Sequence, residues 1–259
     1  MKVTQEVNLA KSITISKLKD MGKLPLFLAI SGSHAHGLAT TNSDIDVRGV
    51  YLDPTKKVLS LHRGADTVQF TYGDVDFQGY ELGKFLSMLL NNNGNMVRLL
   101  LSPICLYEYP DIPWRDLGRK FITKKLRHYY RGYAESQRKR SLSQRGGKAL
   151  IYTYREIFEG LSVMRLGKPI FNFIELWRWV ESQGFYTSGL LYRYYGHTDR
   201  RVTDEGWKQF YTEWDRLCQI LDEETRKSNL PDSYDGYEEC NNLLLKFRLG
   251  LGLRWPDTR

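Results

Sequence analysis

Residues 30–49 read ISGSHAHGLATTNSDIDVRG, in which ten residues separate the Gly32-Ser33 pair from Asp44 and Asp46. The run SDIDVRGVYL that carries the aspartates contains Ile45, Val47, Val50 and Tyr51, residues that favour a strand. Side chains at i and i+2 of a strand project from one face, so the two carboxylates are expected side by side. Their charges repel unless something positive neutralises them. Magnesium takes hard oxygen ligands, commonly one or two protein carboxylates plus substrate phosphates. Upstream, an apolar strand expected over 26–31 ends on the Gly-Ser turn, which is expected to open a short helix. Glycine lets the backbone approach a ligand closely, and free N–H groups at a helix start attract phosphate. The stretch therefore predicts a turn that holds a triphosphate beside carboxylates that hold bridging metal ions, as phosphoryl or nucleotidyl transfer requires. Taken alone, D-x-D also occurs on plain solvated surface or in a calcium loop, although no further acid follows at EF-hand spacing. A two-metal centre usually needs a third carboxylate. Asp74 and Asp76, in TYGDVDFQGYEL, are the candidates, and each also suits a strand end or a helix cap.

Outward from this stretch, short β-rich runs alternate with helical patterns as far as EYPDIPW at 108–114. A helix is expected near 5–22, strands at 44–52 and 66–77, and a helix carrying Leu82, Phe85, Leu86, Leu89 and Leu90 on one face. Beyond Pro113 the periodicity is that of long helices at about 114–140, 147–165, 171–183, 203–227 and 236–249. Glycines at 146, 147, 167 and 184 support the breaks. The expected fold class is α/β (α+β): a mixed sheet with helices over 1–112, followed by a helical bundle over 113–259.

The chain of 259 residues is 41% hydrophobic, enough to bury a substantial core. No stretch approaches the roughly 18 apolar residues of a membrane helix, and the N-terminal segment lacks the apolar core of a secretory signal. A cytoplasmic protein with no membrane partner is expected. Cys105, Cys218 and Cys240 are too scattered for a disulfide framework or zinc knuckle, so packed thiols are expected. The net charge is +8, and residues 119–148 hold eleven Lys and Arg against one acid, Glu135. Elsewhere 27 bases meet 29 acids, so this one segment carries the positive field.

The pattern G-S-x-A-x-G followed by S-D-x-D, here GSHAHGLATTNSDID, resembles the signature of the DNA polymerase beta-type nucleotidyltransferase superfamily. With DFQGYELGKFLSMLLNNNGNMVRLLLSP and KALIYTYREIFEGLSVMRLGKPIF, the chain is similar to the RlaP-type nucleotidyltransferases associated with RNA repair, over most of residues 30–171. The resemblance implies that Gly32 and Ser33 contact a triphosphate and that Asp44 and Asp46 are metal ligands. It makes Asp76, in its DFQGYEL context, the third carboxylate and the group that activates an incoming hydroxyl. Two magnesium or manganese ions and a nucleoside triphosphate are implied as well. Arg48, at i+2 from Asp46, is expected either to pair with a carboxylate or to reach a phosphate. Lys148, Tyr152 and Arg155 share one helix face at i, i+4 and i+7. The resemblance makes that face line the nucleotide, with a solvated face as the alternative.

These readings predict an enzyme that transfers a nucleoside monophosphate to a hydroxyl acceptor and releases pyrophosphate. The basic segment, with Tyr129, Tyr130 and Tyr133 interleaved, fits nucleic-acid phosphates and bases as well as a solvated helix with packed tyrosines. A nucleic acid 3′ end, above all a broken tRNA, is the expected acceptor, met by Arg138, Lys139 and Arg140. AMP transfer to a protein hydroxyl, as in the antitoxin-type relatives, is the second reading. Adenylation of a small molecule is a third, and a non-catalytic nucleic-acid-binding protein is kept beside these as a reading of a different class.

Overall fold

A computed structural model describes residues 2–62, 64–144, 146–186, 189–197 and 200–250. The chain divides into two compact units, one containing everything up to Phe121 and the segment from Tyr234 onward, the other spanning Ile122–Ser233. The first unit begins with α1 (Lys2–Asp20), β1 (Leu24–Ile30), α2 (Gly32–Ala35), β2 (Ile45–Leu52) and α3 (Thr55–Val58). There follow β3 (Thr67–Tyr72), β4 (Val75–Glu81), α4 (Leu82–Leu90), α5 (Gly94–Leu101), β5 (Cys105–Glu108) and α6 (Trp114–Lys120). The second unit holds α7 (Leu126–Gln144), α8 (Gly147–Leu166), α9 (Phe173–Ser182), α10 (Leu190–Tyr194) and α11 (Asp204–Lys227). The last helix, α12 (Tyr237–Arg248), belongs to the first unit.

The five strands form one mixed sheet in the order β3-β4-β2-β1-β5. All neighbours are antiparallel except β2 and β4, which run parallel in a register that sets Asp46 opposite Asp76 and Arg48 opposite Gln78. Apolar residues on β2 and β4 alternate with polar ones, as a sheet with one dry face requires. Ile45, Val47, Val75 and Phe77 pack with Leu28 and Ile30 against Ala10 and Leu18 of α1. Asp46, Arg48 and Asp76 hold the alternating, partly exposed positions. The strand expected over 66–77 is instead a hairpin, because Gly73, with φ of 56°, turns the chain between β3 and β4.

The expected division at 112/113 is displaced, and the C-terminal segment does not stay with the bundle. At the end of the sheet remote from Asp46, Arg248 of α12 donates to the backbone oxygen of Asp53 at 2.8 Å and pairs with Glu81. Glu81 also caps α4 through the N–H of Gly83 at 2.8 Å. Lys23 bonds the buried carboxylate of Asp53 at 2.7 Å. Burial pushes the Lys23 ammonium down and the Asp53 carboxylate opposes that shift. Among the described residues no helix is long and apolar enough to cross a membrane. The three cysteines are free, and burial pushes each thiol up to about 11.

Removing one partner of a buried ion pair leaves the other charge uncompensated. Arg248→Ala is therefore expected to lower the unfolding free energy by about 3 kcal/mol in urea titrations. An unchanged midpoint would show that α12 is not anchored through this pair.

Candidate active site

Strand β1 delivers Ser31 to one end of the sheet, where its N–H donates to the backbone oxygen of Asp46 at 2.8 Å. The next residue starts α2 with φ of 60°, a conformation natural only to glycine. A Cβ on Gly32 would stand 1.9 Å from Oδ2 of Asp46, so any side chain there would drive the carboxylate away. Glycine is required for two independent reasons. Among the described residues, no acceptor takes the N–H groups of Gly32, Ser33 or His34, which leaves three donors at the start of this turn. His34 Nε2 lies 3.4 Å from the backbone oxygen of Ser43, linking the turn to the segment before β2.

On the neighbouring strands the carboxylates of Asp46 and Asp76 are bridged by one guanidinium. Arg48 Nη2 donates to Asp46 Oδ1 at 3.0 Å and to Asp76 Oδ2 at 3.4 Å, and Nη1 lies at 3.4 Å from the same Asp76 oxygen. Nη1 also donates to the backbone oxygens of Val47 and Asp76, at 3.0 and 3.2 Å. Thr71, the antiparallel partner of Asp76 on β3, donates its hydroxyl to Asp76 Oδ1 at 3.3 Å. Tyr80 lies on the same face of β4; burial pushes its hydroxyl up, and the charge of Arg48 partly offsets that.

Of the two alternatives for Arg48, the structure takes the carboxylate pair. Of the two candidate third carboxylates, it sets Asp76 beside Asp46 and leaves Asp74 at the hairpin turn, where the Asp74 backbone oxygen accepts from Ile45 N–H at 2.7 Å. Asp44 is exposed one residue ahead of β2 and, among the described residues, has no side-chain hydrogen-bond partner. The expected trio is accordingly not assembled as a cation cage: among the described residues, no three His, Cys, Asp or Glu side chains converge to hold a metal ion. The reason is electrostatic, since Arg48 supplies in advance the positive charge that the paired carboxylates need. The donors themselves suit a hard divalent cation, being carboxylate oxygens partly open to solvent.

Lys148, Tyr152 and Arg155 belong to the second unit and do not form one accessible face. Lys148 is exposed on the first turn of α8 and Tyr152 is half-buried. Arg155 is 2% exposed, paired with Glu156 and, through Nη1 at 2.6 Å, with Glu159, which also accepts from the Tyr130 hydroxyl at 3.0 Å. Helix α8 is the core helix of this unit, packed against α7, α9 and α11. Its Gly160 lets α7 approach so closely that a Cβ would meet that of Tyr130 at 2.9 Å. Arg155 is thus an internal counter-charge, which an i+7 spacing could not distinguish from a ligand contact.

The basic segment is likewise less open than its composition implies. Arg127 and Arg131 share Asp222 at 2.7 and 2.9 Å, and Lys124 pairs with Asp232 at 3.0 Å. In the first unit, Arg119 pairs with Asp116 and Lys120 with Glu239. Arg138 grips Glu135 through two hydrogen bonds and lies over the rings of Tyr211 and Trp214 at 5.8 and 5.7 Å. Lys139 and Arg140 are exposed, with Lys139 4.0 Å from Glu135.

The family described as RNA repair pathway DNA polymerase beta family, RlaP, matches residues 1–246. An uncharacterised protein of Methanocaldococcus jannaschii, MJ0002, is 29% identical over 225 residues, covering 81% of this chain and 88% of that protein. The uncharacterised YcgL of Bacillus subtilis is 33% identical over 79 residues, 30% of each chain. A crystal structure of a nucleotidyltransferase-like protein from Exiguobacterium sibiricum aligns over 96% of this chain and 82% of its own at 11% identity, with a TM-score of 0.31.

If Arg155 serves the core, Arg155→Ala leaves Glu156 and Glu159 uncompensated and costs about 3–5 kcal/mol of stability, read by urea unfolding. A variant with native stability and weakened nucleotide binding would return Arg155 to the ligand.

Proposed function

The chain belongs to the RNA repair pathway DNA polymerase beta family, and we propose on that basis that it transfers a nucleoside monophosphate from a nucleoside triphosphate to the 3′ hydroxyl of an RNA. One observation carries the reading. Parallel pairing of β2 and β4 sets Asp46 beside Asp76, and the Gly32 turn, with its unpaired N–H groups, packs directly on the Asp46 carboxylate. Free backbone N–H groups and paired carboxylates therefore meet at one end of the sheet, which supports the reading because a metal-bound triphosphate needs both on its two sides.

In this mechanism the N–H groups of Gly32 and Ser33 hold the triphosphate. Arg48 turns from the carboxylates to a phosphate oxygen, exchanging one anionic partner for another. Asp44, Asp46 and Asp76 would hold magnesium or manganese, which when bound would neutralise the phosphate charge and acidify the attacking hydroxyl. Asp76 receives the hydroxyl proton on a carboxylate oxygen, with Thr71 orienting the group. The 3′ oxygen bonds to the α-phosphorus, the bond from that phosphorus to the β-phosphate oxygen breaks, and pyrophosphate leaves. Positioning and charge neutralisation supply most of the rate.

Incubation with α-labelled triphosphate, magnesium and a 3′-hydroxyl RNA should label the RNA. Asp46→Asn and Asp76→Asn should each reduce labelling at least about a hundredfold with thermal melting retained, since each removes a carboxylate that would hold the cation neutralising the phosphate charge. Label appearing on protein rather than on RNA, or transfer indifferent to both substitutions, would overturn the reading.

A further inference from the structure

Two groups of bases in the second unit contrast with each other. Those on α7 are largely answered by acids, as Arg127, Arg131 and Arg138 show. A second set surrounds the start of α8: Lys148, Arg193, Arg200 and Arg201 are exposed, and among the described residues no acid pairs with any of them. They are scattered in sequence and gathered by the fold. Gly147 N–H donates to the Arg200 oxygen at 2.8 Å, and Gly146 and Arg201 form an isolated antiparallel bridge. Tyr194 of α10 packs on the same glycine, its Cβ 3.3 Å from where a Gly147 Cβ would stand.

Beside these charges lie two exposed aromatic rings. Tyr192 is 64% exposed and Tyr195 36%, whereas the intervening Tyr194 is buried. Both rings are seated on aromatic side chains of α9: Tyr192 has its centroid 4.4 Å from Trp177, and Tyr195 lies 5.8 Å from Trp177 and stacks on Phe173 at 6.0 Å. Each is fixed from behind, Tyr192 also donating its hydroxyl to Glu181 at 3.2 Å, and each leaves part of its surface to solvent. Unpaired cations next to supported, exposed rings are the two components of single-strand recognition, in which phosphates meet the charges and unstacked bases meet the rings.

We propose that this surface of the second unit binds single-stranded RNA, with phosphodiesters on Lys148, Arg193, Arg200 and Arg201 and bases stacked on Tyr192 and Tyr195. The assignment rests on the reading of RNA as acceptor, and it places the docking site at the α8–α10 corner instead of along residues 138–140. A duplex offers no free base faces to the rings, and an acidic peptide would engage the charges alone.

Anisotropy titrations of a labelled 3′-hydroxyl single-stranded RNA against the full chain test this without nucleotide or turnover. Arg193→Gln/Arg200→Gln/Arg201→Gln should weaken binding at least tenfold and lower the slope of log affinity against log salt by about 2, at about 0.7 per lost phosphate contact. Lys125→Gln/Lys139→Gln/Arg226→Gln, which removes as much charge elsewhere in the unit, should stay within twofold of wild type. Tyr192→Ala/Tyr195→Ala should lose tenfold or more while Tyr192→Phe/Tyr195→Phe binds normally, and circular dichroism melts establish that each variant folds. Equal effects from the two charge sets would overturn the proposal. So would a duplex RNA or a glutamate-rich peptide of matched charge binding as tightly as the single strand. Asp46→Asn should bind RNA as wild type does, so a failure of transfer chemistry and a failure of this surface are separately visible.

Discussion

The contact on which the site depends is the guanidinium of Arg48 lying between Asp46 and Asp76. Neighbouring strands stand about 4.8 Å apart, so the register of β2 and β4 brings two carboxylates close together. At that range two unit charges repel by roughly 1–3 kcal/mol in a surface environment. A charge from within the fold removes this cost before any ligand arrives. The same arginine is only two residues from Asp46 on one strand face, so exchange between carboxylate and phosphate needs a side-chain rotation alone.

The surrounding structure serves that corner. The hairpin β3–β4 returns the chain so that β4 runs parallel to β2, and the same turn brings Thr71 to the Asp76 carboxylate. The turn at Gly32 is pressed on Asp46 and leaves no volume for a side chain. At the other end of the sheet, Lys23, Asp53, Glu81 and Arg248 bind the C-terminal helix to the strand ends. In the second unit, buried Arg155 plays a comparable internal part against Glu156 and Glu159.

Local signals in the sequence were sufficient for the strand–turn–strand at 30–52, because hydrophobic alternation, a glycine with a steric purpose and a D-x-D pair all lie within 23 residues. The long helices α8 and α11 were legible from periodicity for the same reason. The hairpin of β3 and β4 reads in sequence as one strand over 66–77, since Gly73 between two β-rich runs gives only a weak break. Helix α12 joins the first unit through charges far apart in sequence, which no window can detect. The pairing of the basic run at 119–148 was hidden in the same way. Its positive charge is real, but Asp222, Asp232 and Glu239 meet it from more than 90 residues away, as the separation of 95 for Arg127 and Asp222 shows. The burial of Arg155 was not legible because periodicity defines a helix face and does not say whether that face meets solvent or core.

Manganese titration of the free protein and of its complex with a non-hydrolysable triphosphate tests the central claim most directly, using wild type, Arg48→Gln and Asp76→Asn. If Arg48 holds the acidic pair until the nucleotide draws it away, free wild type binds the ion weakly and Arg48→Gln binds it roughly tenfold more tightly, one such step being about 1.4 kcal/mol. Nucleotide then raises the affinity of wild type, and Asp76→Asn shows little gain in either state. Manganese affinity that is indifferent to nucleotide, to Arg48 and to Asp76 would contradict the account.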